Sequence, residues 1–180
     1  WFNHYTVGCT FDDVYSFYGD EFTKMVTDTA ISQGCTAFNI YMFYGGTNWG
    51  TLGDPDVYTS YDYSACIREY GHISSRARKL RLGMSFAKSF SPELLKTECN
   101  DNHVRSSFVI QSSATNFISK QRKSSGPSPV YFVFFRNFND SKITSSTITV
   151  ARYHREPIQL TCKLGYKESF IGIGNYKTRN

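Results

Sequence analysis

Hydrophobic and polar positions change their period along these 180 residues, and each change marks a predicted element. Between Gly19 and Gly34, residues Phe22, Met25, Val26, Thr29 and Ala30 recur on one helical face. Asp20 is placed to cap this helix and Glu21 suits the positive end of its dipole. Gly34 is placed to end it in a left-handed conformation. The next run, residues 35–42, is compact and barely alternates, which predicts a strand buried on both faces. Helix, glycine turn and buried strand form the αβ half of a repeating α/β unit.

A long glycine-rich loop follows over residues 43–56, then a short strand-like run over 57–63. Long irregular loops inside compact domains usually serve function. In a (β/α)₈ barrel, the loop after each strand lies on the catalytic face. From about Ser74 the pattern is helical, with Leu80, Leu82, Met84, Phe86 and Ala87 as its apolar positions, and Pro92 is predicted to end it.

Beyond Pro92 the runs shorten and favour β structure, at 107–110, 130–135, 146–150, 157–161 and 169–173. Turn signals at 124–129 and 137–140 separate several of them. The predicted architecture is therefore α/β followed by antiparallel β, with domains at 1–92 and 93–180 and no internal repeat.

The net charge of +5 changes little, because the basic groups 76–81 and 120–123 fall in different structural contexts. A nucleic-acid surface would need them on one face, so they are expected to be solvated and no nucleic-acid partner is predicted. No stretch is long and apolar enough for a membrane span. The 5 cysteines show no paired or metal-ligand spacing, which leaves buried free thiols or disulfide partners outside this chain. His4, His72, His103 and His154 suggest no metal site either. Asn139-Asp140-Ser141 fits the N-glycosylation triplet. The aromatic content of 17% suits carbohydrate recognition and ordinary cores equally, so it decides nothing. The chain opens Trp1-Phe2-Asn3-His4, without methionine or signal peptide, and reads as a piece of something longer.

One compound pattern is specific. Asn39-Ile40-Tyr41-Met42-Phe43-Tyr44-Gly45-Gly46-Thr47-Asn48-Trp49-Gly50, followed by Tyr58-Thr59-Ser60-Tyr61-Asp62-Tyr63, resembles glycoside hydrolase family 35, its large fungal-type β-galactosidases in particular. The resemblance covers residues 16–92 and continues at 130–150. It implies the C-terminal units of a (β/α)₈ TIM barrel joined to part of an antiparallel β domain. It also implies retaining hydrolysis of terminal β-D-galactosyl residues, without a cofactor, by a parent protein of extracellular, secretory or lysosomal-vacuolar location. The expected partners are β-galactosides and the N-terminal part of the same barrel. Both catalytic glutamates of the family are expected outside this chain, so no catalytic residue is assigned here.

By the same resemblance, Tyr63 is the expected sugar contact. Asn48, Trp49, Tyr61 and Asp62 are expected to line or support the pocket. Adjacent acids such as Asp12-Asp13, Asp20-Glu21 and Asp54-Pro55-Asp56 are expected to be solvated. The alternative is a non-catalytic carbohydrate-binding or interaction module derived from a degraded hydrolase.

Overall fold

The computed structural model describes residues 11–50, 52–53, 59–100, 110–112, 117–125, 130–137, 144–152 and 155–177. Trp1-Phe2, Asp54-Pro55-Asp56, most of the expected 107–110 strand and the Asn139 triplet lie outside them. The chain forms two compact units, Trp1–Thr27 with Ala37–Phe86, and Asp28–Thr36 with Ala87–Asn180.

Three helices are described: α1 (Phe11–Phe17), α2 (Asp20–Ser32) and α3 (Ser75–Leu94). The short α1 was not anticipated. Asp20 Oδ1 accepts the Glu21 N–H at 3.0 Å at the start of α2. At its end Gly34 has φ 93°. The Gly34 N–H donates to Ile31 O at 3.0 Å and the Cys35 N–H to Ala30 O at 3.0 Å. That bond pair is a Schellman closure, which needs the left-handed glycine.

The buried side of α2 differs from the predicted one. Of the predicted face Met25 is buried, but so are Thr23, Thr27, Asp28, Ile31 and Ser32, whereas Phe22, Val26, Thr29 and Ala30 are only partly covered. Polar residues can sit inside here because their hydroxyls bond back to the helix. Thr27 Oγ1 donates to Thr23 O at 2.9 Å and Ser32 Oγ to Thr29 O at 2.6 Å.

Residues 35–42 and 57–63 were expected to be strands, and the structure corrects both, the second over its described part, 59–63. Among the described residues no ladder forms there, only isolated bridges at Tyr44↔Ile67, Thr47↔Ser60 and Ile67↔Ile73. A buried parallel strand needs hydrogen-bonded neighbours along its length, and no described segment supplies them.

Ser74 caps helix α3, its Oγ accepting the Ala77 N–H at 3.4 Å. Against prediction, it runs past Pro92 to Leu94. The proline removes one N–H from the last turn, and the Lys88 carbonyl left over accepts the Ser91 hydroxyl at 3.2 Å. In the first unit Leu80 packs on Cys66, with Val26, Ile40, Ala77 and Met84 around them.

Among the described residues, the second unit holds seven strands: β1 (Thr97–Asn100), β2 (Ile110–Ser112), β3 (Phe117–Ser124), β4 (Tyr131–Asn137), β5 (Thr144–Arg152), β6 (Arg155–Leu164) and β7 (Ser169–Gly174). They form two antiparallel sheets, ordered β1-β3-β4-β7 and β2-β5-β6. Strands β1 and β3 were not expected. β3 is largely polar, and its pairing with β4 uses the backbone, which does not require an apolar sequence.

The strand β4 is the core of this unit: Tyr131, Phe132, Val133, Phe134 and Phe135 are buried in succession. Being hydrogen-bonded on both edges and covered on both faces, it shows no alternation. Phe90 meets the Phe132 ring edge-on at 5.8 Å, and Phe170 stacks on Phe135 at 6.3 Å. Beyond β4, Asn137 Nδ2 donates to Leu164 O at 3.2 Å and Gly165 O at 2.9 Å, fixing the turn before β7.

Phe132 has no exposed surface. Phe132→Ala is therefore expected to cost about 3–5 kcal/mol, read as a lower urea midpoint at unchanged slope.

Candidate active-site loops

Two loop segments of the first unit, 42–48 and 59–67, are laced together by main-chain hydrogen bonds. The Ile67 N–H donates to Phe43 O at 2.7 Å, Gly45 N–H to Ile67 O at 3.0 Å, Tyr61 N–H to Gly46 O at 2.8 Å, and Asn48 N–H to Thr59 O at 2.7 Å. Gly45 is required by closeness. A Cβ built on it would lie 2.6 Å from both Cα and O of Asp62, and 2.7 Å from Tyr61 O. No side chain fits there.

The lacing brings three tyrosines together. The Tyr61 and Tyr63 ring centroids are 4.5 Å apart, and Tyr41 lies 6.4 Å from Tyr61 and 6.3 Å from Tyr63, all edge-on. The Tyr41 and Tyr61 hydroxyls share a hydrogen bond. That bond, more than burial or the neighbouring phenols, pushes the Tyr41 pKa up to about 12. Such a cluster offers ring edges and phenol hydroxyls side by side, the surface chemistry that sugars use.

Tyr63 and Ser64 both have left-handed backbones, with φ 45° and 56°. The Ala65 N–H closes their turn onto Asp62 O at 2.8 Å. Glycine or asparagine normally occupies such positions, and other residues there cost on the order of 1–3 kcal/mol each. The buried Asp62 supports the turn from below. Its Oδ1 accepts the Ala65 N–H at 3.3 Å and its Oδ2 accepts Arg68 Nε at 2.9 Å. Glu69 accepts hydrogen bonds from Ser60 and Thr47, which hold its carboxyl below the ordinary range, with Arg68 adding a smaller effect.

The expected site residues thus separate. Tyr61, Tyr63 and Asp62 occupy one turn, and Asn48 stitches the loop through its main chain. Trp49 stands away from them, 87% exposed at a left-handed Gly50. The pattern alone had not singled out Tyr41, Arg68 or Arg76. Arg76 also corrects the expectation of a solvated basic group: it is fully buried, while Arg78 and Arg81 are exposed. Its helical period, one turn ahead of the buried Leu80, was the available signal.

Among the described residues, no group of three His, Cys, Asp or Glu side chains could hold a metal ion. No helix among the described residues is long and apolar enough to cross a membrane.

Residues 1–86 match the family described as Glycosyl hydrolases family 35. The chain is 40% identical over 95 residues to a probable beta-galactosidase C of Talaromyces marneffei, covering 53% of this chain and 9% of that protein. It is 38% identical over 91 residues to a probable beta-galactosidase A of Emericella nidulans, covering 50% and 9%. Over 154 residues it is 32% identical to a probable beta-galactosidase C of Sclerotinia sclerotiorum, covering 79% and 16%. The chain therefore spans between 9% and 16% of the length of these relatives.

Two outcomes follow from the loop geometry. Gly45→Ala should force the loops apart and cost about 1–3 kcal/mol. Gly46→Ala, whose Cβ would meet only the Tyr44 ring at 3.7 Å, should be near neutral in the same urea titration. Tyr61→Phe should bring the Tyr41 pKa down from about 12 toward the ordinary 10.0, read by ring-carbon NMR. Because the neutral phenol is the favoured form, its stabilising contribution is complete below pH 10.0 and is lost as pH rises through about 12.

Proposed function

We propose, from the match of residues 1–86 to the family described as Glycosyl hydrolases family 35, that the chain is part of a β-galactosidase. In this reading residues 1–92 complete a (β/α)₈ barrel and residues 93–180 begin a β-rich second domain. The observation that carries it is the pairing of the glycine loop at 45–50 with the Tyr61-Asp62-Tyr63 turn. One close glycine contact sets both, and it presents Tyr61 and Tyr63 with rings 4.5 Å apart.

The parent reaction is retaining hydrolysis of a terminal β-D-galactosyl residue, with water as acceptor and no cofactor. It requires a nucleophilic carboxylate and an acid/base carboxylate roughly 5–5.5 Å apart. Both are glutamates outside residues 1–180. Asp62 is not a substitute, because its oxygens are engaged by Arg68 and by the Ala65 N–H. It holds the turn, and Tyr63 meets the galactose. Asn48 and Tyr61 support the pocket wall. The substrates are β-galactosides, and the parent acts in an extracellular or lysosomal-vacuolar compartment, in keeping with the Asn139 glycosylation triplet.

The exposure of Trp49 favours a second reading, a sugar-binding module without catalysis, since a bare indole face can stack on a pyranose. One assay separates the two. An aryl β-galactoside should be cleaved by the full-length protein and left intact by the 180-residue chain. Turnover by the chain alone would overturn the assignment of both glutamates outside it. Galactose binding by a full-length protein that cleaves nothing would establish the second reading.

A further inference from the structure

The fully buried guanidinium of Arg76 reaches three stretches of the first unit at once. Nη1 donates to Thr23 Oγ1 on α2 and, at 3.4 Å, to Gly19 O just before that helix. Nη2 donates to Tyr18 O and, at 2.8 Å, to Ser64 Oγ. The Tyr15 ring lies 5.6 Å from its central carbon. Among the described residues, none of the groups accepting from it is a carboxylate. An ion held in the interior by neutral acceptors is costly, and such an arrangement persists where it fixes geometry.

Ser64 is the acceptor that belongs to the tyrosine turn, where it is the second of two consecutive left-handed residues. Strain of that kind survives only where the surroundings determine it. Asp62 fixes the turn from one end through Ala65 and Arg68. The guanidinium fixes it from the other. Rotating Ser64 out of its left-handed conformation would break the 2.8 Å bond and swing the adjoining Tyr63 off its partners.

We propose that Arg76 is a positioning residue of the galactose site, clamping Ser64 and so aiming Tyr63. The inference rests on the reading of Tyr63 as the sugar contact. Ser64→Ala removes the loop arm of the clamp, and Thr23→Val removes a helix arm.

The test pairs two readouts. Tyr63 ring resonances are followed in the chain, and KM and kcat for an aryl β-galactoside are measured in the full-length protein. Ser64→Ala is expected to shift the Tyr63 ring signals and raise KM about tenfold, a change of about 1.4 kcal/mol. Thr23→Val is expected to lower Tm while leaving the ring signals and KM at their wild-type values. Arg76→Lys, a point charge that cannot fork between the arms, should follow Ser64→Ala in KM and Thr23→Val in Tm.

Unmoved ring signals in Ser64→Ala, with Tyr63→Phe still raising KM, would overturn the clamp and leave the sugar contact standing. Moved ring signals with KM unchanged in both Ser64→Ala and Tyr63→Phe would overturn the sugar contact, and the site role of Arg76 with it. Equal KM effects from Ser64→Ala and Thr23→Val would make Arg76 a general stabiliser only.

Discussion

Where Gly45 lies against the main chain of Tyr61 and Asp62, there is no room for even one carbon. Much of the loop arrangement follows from that approach. With the backbones this close, Gly45 and Tyr61 reach their hydrogen-bond partners across the gap, and the chain beyond Asp62 must reverse at once. The reversal is made with Tyr63 and Ser64 rather than glycines, so the turn carries side chains at its tip. Three tyrosine rings then meet within 6.4 Å of one another.

The two units solve the problem of an interior differently. Around β4 the second unit uses aromatic bulk, and the buried Asn137 beside it is matched by two carbonyls. The first unit has a small apolar core about Cys66 and Leu80, beside a desolvated polar network centred on Arg76. Apolar packing tolerates small shifts in side-chain position, whereas hydrogen bonds from a rigid guanidinium fork do not. In the unit with the tyrosine turn, the directional part of the interior thus lies directly against that turn.

Much of this was legible in the residues. The cap at Asp20, the stop at Gly34 and the cap of α3 at Ser74 follow from local backbone chemistry, which a sequence shows directly. The β runs of the second unit were visible wherever they were apolar, as at Tyr131–Asn137. Strand β3 was hidden because Lys120-Gln121-Arg122-Lys123 reads as surface, while its pairing depends on a partner's backbone. The expected strand at 35–42 failed for the complementary reason: an apolar run is a strand only when neighbours complete its ladder. Within the loops, the glycine and tyrosine pattern pointed to Tyr61, Asp62 and Tyr63. It did not point to Arg76, whose signal lay instead in the helical period it shares with Leu80 and not in the charge density of its segment.

The thiol of Cys66 sits in the small apolar core, with no exposed surface, and burial pushes its pKa upward against a weaker opposing pull from Arg76. Alkylating and oxidising reagents attack the thiolate, so in the folded unit this sulfur is shielded twice, by access and by protonation. The exposed Cys35 has no such steric shield. Modification at Cys66 therefore proceeds through opening of the core that Leu80 shares with it, and its rate is a clock for that opening. A residue with no part in recognising sugar thereby records how often the ground beneath the tyrosine turn gives way.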